Sequence, residues 1–329
     1  CNLSCQHCYN ANHKAVDMDF ELFKEAIDDF ISLARIFRMN ALILITGGEP
    51  TIHKNFFQML DYLDQKMDEG FPIDVRILTN AISIDRIMAE NISKSRSVSE
   101  IQVSIDGPKE IHDIIRGSGN YEKTIRTIEL LKELEINVAM SCVISKINYK
   151  YAKEIVHVAV QNNIRRLNIS RFVPIMGEGE QNQIDKVLSI EQLKDTWDIL
   201  YREASILVEN IVKGKSETYL NMQRCDMWHL ADEEHAMAQW MIPDSPRYLL
   251  QGLRCMVGVN ILALLPNGDI YPCRRLPIKL GNLREDKLKS LWMNNPFLKE
   301  YRNRESNMLG KCNDCIFFKD KKYKMLCNG

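Results

Sequence analysis

The sequence predicts an α/β protein: a parallel sheet wrapped by helices, followed by a cysteine-rich segment of turns. Three observations carry this. Short continuous apolar runs alternate with longer segments of helical period through the first half of the chain. Runs of that kind suit strands buried on both faces, and repeating βα units place such strands in a parallel sheet. Eight of the ten cysteines fall in two clusters, one at each end of the chain.

The elements follow in order. Phe20, Phe23, Ala26, Ile27 and Phe30 recur at helical spacing, which predicts a helix over 19–39. Residues 41–45 are a buried strand and 54–67 a helix. Strand 73–78, helix 84–92 and strand 100–105 come next. Helix 121–134 takes Asn120 as its expected N-cap. Strand 138–144, helix 151–161 and strand 166–170 complete the series. The sheet they imply is either doubly wound or curved into a barrel. Another strand is expected upstream of Cys1, because a cysteine loop opens the chain and both ends read as cut. From Ser189 the pattern changes. Residues 190–212 are helical, and 215–250 have no clear period. Beyond Gly252 come turns, cysteines, a hairpin at Pro266-Asn267-Gly268 and one short helix near 288–292. The expected division is 1–180 for the sheet domain, 181–250 for a helical linker or bridging region, and 251–329 for the cysteine-rich domain.

Composition limits the function. The chain has 329 residues, 45% hydrophobic and 26% charged, with a net charge of -1. That balance gives no general attraction to nucleic acid or anionic lipid. No apolar run is long enough to span a bilayer, and no signal peptide is visible, so a cytoplasmic location is expected. A full-sized core with clustered cysteines favours metal or redox chemistry over a disulfide scaffold.

The opening reads Cys1-Asn-Leu-Ser-Cys5-Gln-His-Cys8. Three thiolates on one loop can hold three irons of a 4Fe–4S cube and leave the fourth open to a ligand. A zinc loop is the alternative. About forty residues later, Thr46-Gly47-Gly48-Glu49-Pro50 follows an apolar strand. Glycines at the C-terminal end of a parallel strand let backbone approach a ligand. An acidic side chain there can pair with an amine.

The C-x3-C-x2-C spacing with the Gly-Gly-Glu-Pro element resembles the radical S-adenosylmethionine (radical SAM) superfamily. The resemblance implies a partial (β/α)6 TIM-like barrel. Cys1, Cys5 and Cys8 then hold the catalytic 4Fe–4S cluster, and Gly47, Gly48, Glu49 and Pro50 meet S-adenosylmethionine. Asn80, Ser104, Asp106, Ser141, Asn148 and Arg171, at or near other strand ends, are further candidates for that cofactor. His7 is expected to shape the loop rather than to bind iron.

The tail has Cys255, then Gly268 to Cys273, then Cys312-Asn-Asp-Cys315, then Cys327-Asn-Gly329. The order resembles the SPASM and twitch domains that hold auxiliary 4Fe–4S clusters; a zinc ribbon is the alternative. Cys255, Cys273, Cys312 and Cys315 alone would close one cluster. If Cys327 begins a C-x-G-G-C element, the five cysteines divide between two clusters, which is the reading preferred. Cys142 is expected in the core. Cys225 has three open roles: inert thiol, extra ligand, or hydrogen donor to a substrate radical.

Enzymes with this layout mostly modify peptides. The resemblance therefore implies a peptide maturase fed by an electron donor such as flavodoxin or ferredoxin. A tetrapyrrole-modifying enzyme is the runner-up, and a non-catalytic iron–sulfur electron-transfer protein the alternative from another class.

Overall fold

The computed structural model describes residues 1–8, 16–174, 181–222 and 257–303. The chain divides into two compact units, Cys1–Leu220 and Asn221–Gly329.

The first unit is built from βα repeats. Helix α1 (Phe20–Phe37) is capped by Asp19, whose side chain accepts the Glu21 N–H, and it buries Leu22, Phe23, Ala26, Ile27 and Ile31. Then come β1 (Ala41–Ile45), α2 (Phe56–Asp68), β2 (Ile73–Thr79), α3 (Arg86–Ser93), β3 (Val98–Ser104), α4 (Lys109–Arg116) and α5 (Asn120–Glu133). They are followed by β4 (Val138–Ile144), α6 (Ala152–Gln161), β5 (Arg166–Arg171), α7 (Gln181–Ile184), α8 (Ile190–Val212) and β6 (Tyr219–Met222). The first five strands pair in parallel, each with the next in the chain. β6 continues the sheet beyond β5.

That order decides between the two topologies. A doubly wound sheet reverses its strand order at a switch point, which sends helices to both faces. Right-handed crossovers with no reversal keep every helix on one face and curve the sheet. The unit is an open, partial (β/α) barrel. Val75, Ile77, Ile101 and Val103 are fully buried on the helix side. The other face is polar: Arg166 pairs with Glu100, and Asn168 Nδ2 donates to Gln102 Oε1 at 2.9 Å. On β1 that face exposes Leu42 and Leu44, at 45% and 47%.

Four local expectations need correction. α4 was not expected; at eight residues it is too short to show a period, and only Ile111, His112 and Ile115 are buried. Asn120 is not the cap of α5. Gly119, at φ 74°, occupies that place, and Asp113 of α4 accepts the N–H groups of Gly119 and Tyr121 at 2.7 and 2.8 Å. β6 falls in a segment without period, since four residues show little alternation; Leu220 and Met222 are its buried pair. Among the described residues of the second unit there are two short helices, where one was expected.

In that unit, β7 (Ala263–Leu264) and β8 (Asp269–Tyr271) form the hairpin, and β9 (Gly281–Asn282) adds to β8. Gly268 has φ 92°, a conformation suited to glycine at this turn. Helix α9 (Leu288–Asn294) leads into α10 (Pro296–Arg302), with Pro296 at its first position and the Asn295 side chain accepting the Leu298 N–H.

Candidate active site

Parallel strands bring their C-terminal ends to one edge of the barrel, and the cysteine loop lies against that edge. Asn2 Nδ2 donates to Ser83 at 2.7 Å and Asn2 Oδ1 accepts from Asn80 at 2.8 Å, both beyond β2. Gln6 bonds Ile115 and Ile114 at the end of α4, at 3.0 and 2.9 Å. Lys186 donates to the Gln6 carbonyl. Beyond β1, Gly47 has φ 148°, a conformation that favours glycine. A Cβ on Gly48 would lie 2.8 Å from Cys1 N and 2.9 Å from Cys1 Cβ. The turn must therefore be glycine for the cysteine loop to sit on it.

Cys1, Cys5 and Cys8 are not joined in disulfides. Three thiolates on one short loop are the donor set of a 4Fe–4S cube, which takes each thiolate on a separate iron. Burial pushes the Cys5 thiol up, and the Arg116 guanidinium, with Nη1 at 3.9 Å from Cys5 Sγ, opposes that rise.

The other expected site residues divide into two groups. Glu49, Asp106 and Asn148 stand at the edge with their side chains occupied by the fold. Glu49, 5% exposed, accepts from Thr51 N–H, Thr51 Oγ1, Thr79 Oγ1 and Asn80 N–H. Asp106, 0% exposed, accepts from Val143 N–H at 3.0 Å and Arg116 Nε at 2.5 Å, with His7 Nε2 at 3.5 Å. Burial raises the Asp106 carboxyl, but Arg116 and the other donors outweigh it and hold it at about 2. Asn148, fully buried, ties Ser145 N–H to the carbonyls of Asp106 and Val143. Asn80, Ser104, Ser141 and Arg171 form the second group. Asn80 Nδ2 lies 4.0 Å from Cys1 Sγ. Ser104 and Ser141 face each other in register, half-buried, and Arg171 ends β5. Pro50 opens the short turn that follows Glu49.

Residues 1–159 match the radical SAM superfamily model, and residues 255–316 match SPASM, an iron–sulfur cluster-binding domain. This chain is a radical SAM enzyme with a SPASM domain. The enzyme is similar to the AdoMet-dependent heme synthase of Oleidesulfovibrio alaskensis, at 24% identity over 100% of this chain and 79% of that protein. It is similar to mycofactocin maturase MftC of Mycobacterium tuberculosis, at 26% over 96% of this chain and 73% of that protein. Its fold matches Streptococcus suis SuiB in complexes with S-adenosylmethionine and with precursor peptide SuiA. The TM-scores are 0.70 and 0.71 at 19% and 18% identity, covering all of this chain and 70% and 69% of SuiB. Its cofactors are S-adenosylmethionine and 4Fe–4S clusters, one in the radical SAM domain and auxiliary ones in SPASM.

In the SPASM part, Cys273 follows β8, half-buried and free, and its sulfur accepts the Arg275 N–H at 3.5 Å. That contact suits a cluster thiolate. Cys225, Cys255, Cys312, Cys315 and Cys327 lie outside the described residues. Cys142 is fully buried in β4, and burial raises its thiol well above the usual range. Among the described residues, no helix is long and apolar enough to cross a membrane. Sequence reasoning missed Arg116 and His112, which lie in the short mixed segment 109–116 after Asp106-Gly107-Pro108.

Proposed function

We propose that this enzyme is a peptide maturase. It takes a hydrogen atom from a peptide substrate and so installs a thioether or carbon–carbon crosslink, an epimerised centre or an oxidised side chain. The observation that carries the reading is the cysteine trio outside any disulfide, whose Cys1 packs against Gly48 of the Gly47–Gly48 turn, in a chain that also has a SPASM domain. Similarity to a protein described as a maturase, and to a fold solved with a precursor peptide, supports peptide as the substrate.

When bound, S-adenosylmethionine and the reduced cluster supply a 5′-deoxyadenosyl radical. The chain's own residues hold and orient. Cys1, Cys5 and Cys8 bind three irons. The Gly47–Gly48 backbone, Asn80, Ser104, Ser141 and Arg171 receive S-adenosylmethionine along the strand ends. Glu49, Asp106 and Asn148 fix the loops that carry them. Cys255, Cys273, Cys312, Cys315 and Cys327 hold the auxiliary clusters. Cys225, in the sequence between the barrel and the SPASM domain, is a candidate ligand or hydrogen donor. A flavodoxin or ferredoxin supplies the electron in the cytoplasm.

A second reading, tetrapyrrole modification, is favoured by the heme synthase relatives at nearly the same identity. One anaerobic assay separates the two. Reduced, cluster-loaded protein is given S-adenosylmethionine with either a precursor peptide encoded beside its gene or a porphyrin precursor. We expect 5′-deoxyadenosine to rise at least about tenfold with the peptide, a step of 1.4 kcal/mol or more in barrier, and the peptide to be modified. Cys5→Ala should abolish both. Stimulation by the porphyrin alone would overturn the maturase reading.

A further inference from the structure

Arg116, the last residue of α4, has a side chain only 11% exposed. Its Nε donates to Asp106 Oδ2 at 2.5 Å, and its Nη1 reaches to 3.9 Å from Cys5 Sγ. Asp106 is itself fixed from the far side by the Val143 N–H. The cysteine loop is tied to the same helix end through Gln6 and the carbonyls of Ile114 and Ile115. Sulfur, guanidinium and carboxylate are thus held in consecutive contact, with backbone fixing both ends.

Such a pair contributes little to stability. Desolvating two charges offsets most of their attraction, and apolar residues of the same volume commonly serve as well. The direction of the pair is the informative feature: its positive end points at the thiol and its negative end away.

We infer that Arg116 sets the reduction potential of the cluster held by Cys1, Cys5 and Cys8, with Asp106 as its counter-charge. The inference rests on those cysteines being the cluster's ligands. Reduction adds one electron, and so one negative charge, spread over iron and sulfur. A fixed cation donating toward a ligand sulfur stabilises the reduced form more than the oxidised form. Asp106 acts with the opposite sign from one bond further away. Removing either charge must therefore move the potential in opposite directions, which simple damage to packing would not do.

The test is an anaerobic redox titration of the cluster-loaded protein, followed by electron paramagnetic resonance without S-adenosylmethionine. The signal is assigned to the open cluster because it changes when S-adenosylmethionine is then added. Arg116→Met should make reduction about tenfold less favourable, a shift of about 59 mV to the negative for one electron. Arg116→Lys keeps the charge and should stay nearer wild type than Arg116→Met. Asp106→Asn should shift the potential positive, and it decides the sign even if Arg116→Met takes up no cluster. A wild-type potential in Arg116→Met, or a negative shift in Asp106→Asn, overturns the inference. A Cys5→Ala protein that retains the responsive signal overturns the ligand reading beneath it.

Discussion

His112, in the middle of α4, is fully buried, and its Nδ1 accepts the Asp106 N–H at 3.4 Å. Its Nε2 has no hydrogen-bond partner among the described residues, and the ring stands edge-on to Tyr121 at 5.6 Å. A proton on Nδ1 would break the one bond the ring makes. Burial lowers its affinity for protons to about 4, from an ordinary 6.5, although Asp106 pulls the other way. The unfolded chain therefore binds a proton between pH 6.5 and 4 that the folded chain refuses. Stability is full above pH 6.5 and falls by about 3 kcal/mol as pH drops to 4. Asp106 has the usual carboxylate sign, and its contribution is lost only at lower pH, between 3.8 and about 2. Urea unfolding of the metal-free chain at several pH values checks this. His112→Asn, which keeps an acceptor but does not titrate, should flatten most of the slope above pH 4. The cysteine trio and the Gly47–Gly48 turn were legible because ligand spacing and glycine pairs are local patterns. Arg116 was not, because its meaning depends on a contact with Cys5 more than a hundred residues away.

Among the elements, α8 was readable from end to end. Ser189 precedes a long periodic run, and in the structure its hydroxyl accepts the Gln192 N–H at 3.2 Å while Gln192 Oε1 accepts the Ser189 N–H at 2.9 Å. This reciprocal capping box satisfies two groups that the helix leaves unpaired. α8 packs on α6, where Glu203 is buried with His157 at 3.6 Å and Lys153 at 3.9 Å. Ser189→Ala should cost about 1 kcal/mol of unfolding free energy. The midpoint of urea unfolding should drop while its slope stays constant, since the surface exposed is unchanged. A change below a few tenths of that would mean that the first turn of α8 adds nothing to the cooperative unit. The elements missed from sequence share a cause. α4, β6 and α10 are each eight residues or shorter, too few to repeat a period, and tertiary contacts hold them. α10 still carried a local sign, Asn295 before Pro296, that cap and proline preferences make readable.

At the scale of the whole molecule, the question is how many clusters the chain carries. The barrel carries Cys1, Cys5 and Cys8 on one loop, the expected seat of one cluster. In the second unit, Cys273 leaves a small hairpin domain with its sulfur already accepting a backbone N–H, a ready site for a thiolate. Five tail cysteines are more than one closed cluster needs, and sharing them between two clusters leaves some irons to be completed by other ligands. The two-cluster reading predicts about twelve irons per chain, and the one-cluster reading about eight. Two variants separate these further. Cys273→Ala should leave about eight irons if there are two auxiliary clusters and about four if there is one. Cys327→Ala should also remove about four irons under the two-cluster reading, and none under the other, because four cysteines would already close the site without it. Iron and sulfide analysis of anaerobically loaded protein gives the count, and Mössbauer spectra confirm that the iron is in 4Fe–4S form. We expect about twelve in the wild type, with losses in both variants. A wild type near eight with Cys327→Ala unchanged would place Cys255, Cys273, Cys312 and Cys315 around a single closed cluster, suited to electron transfer and with no iron open to substrate.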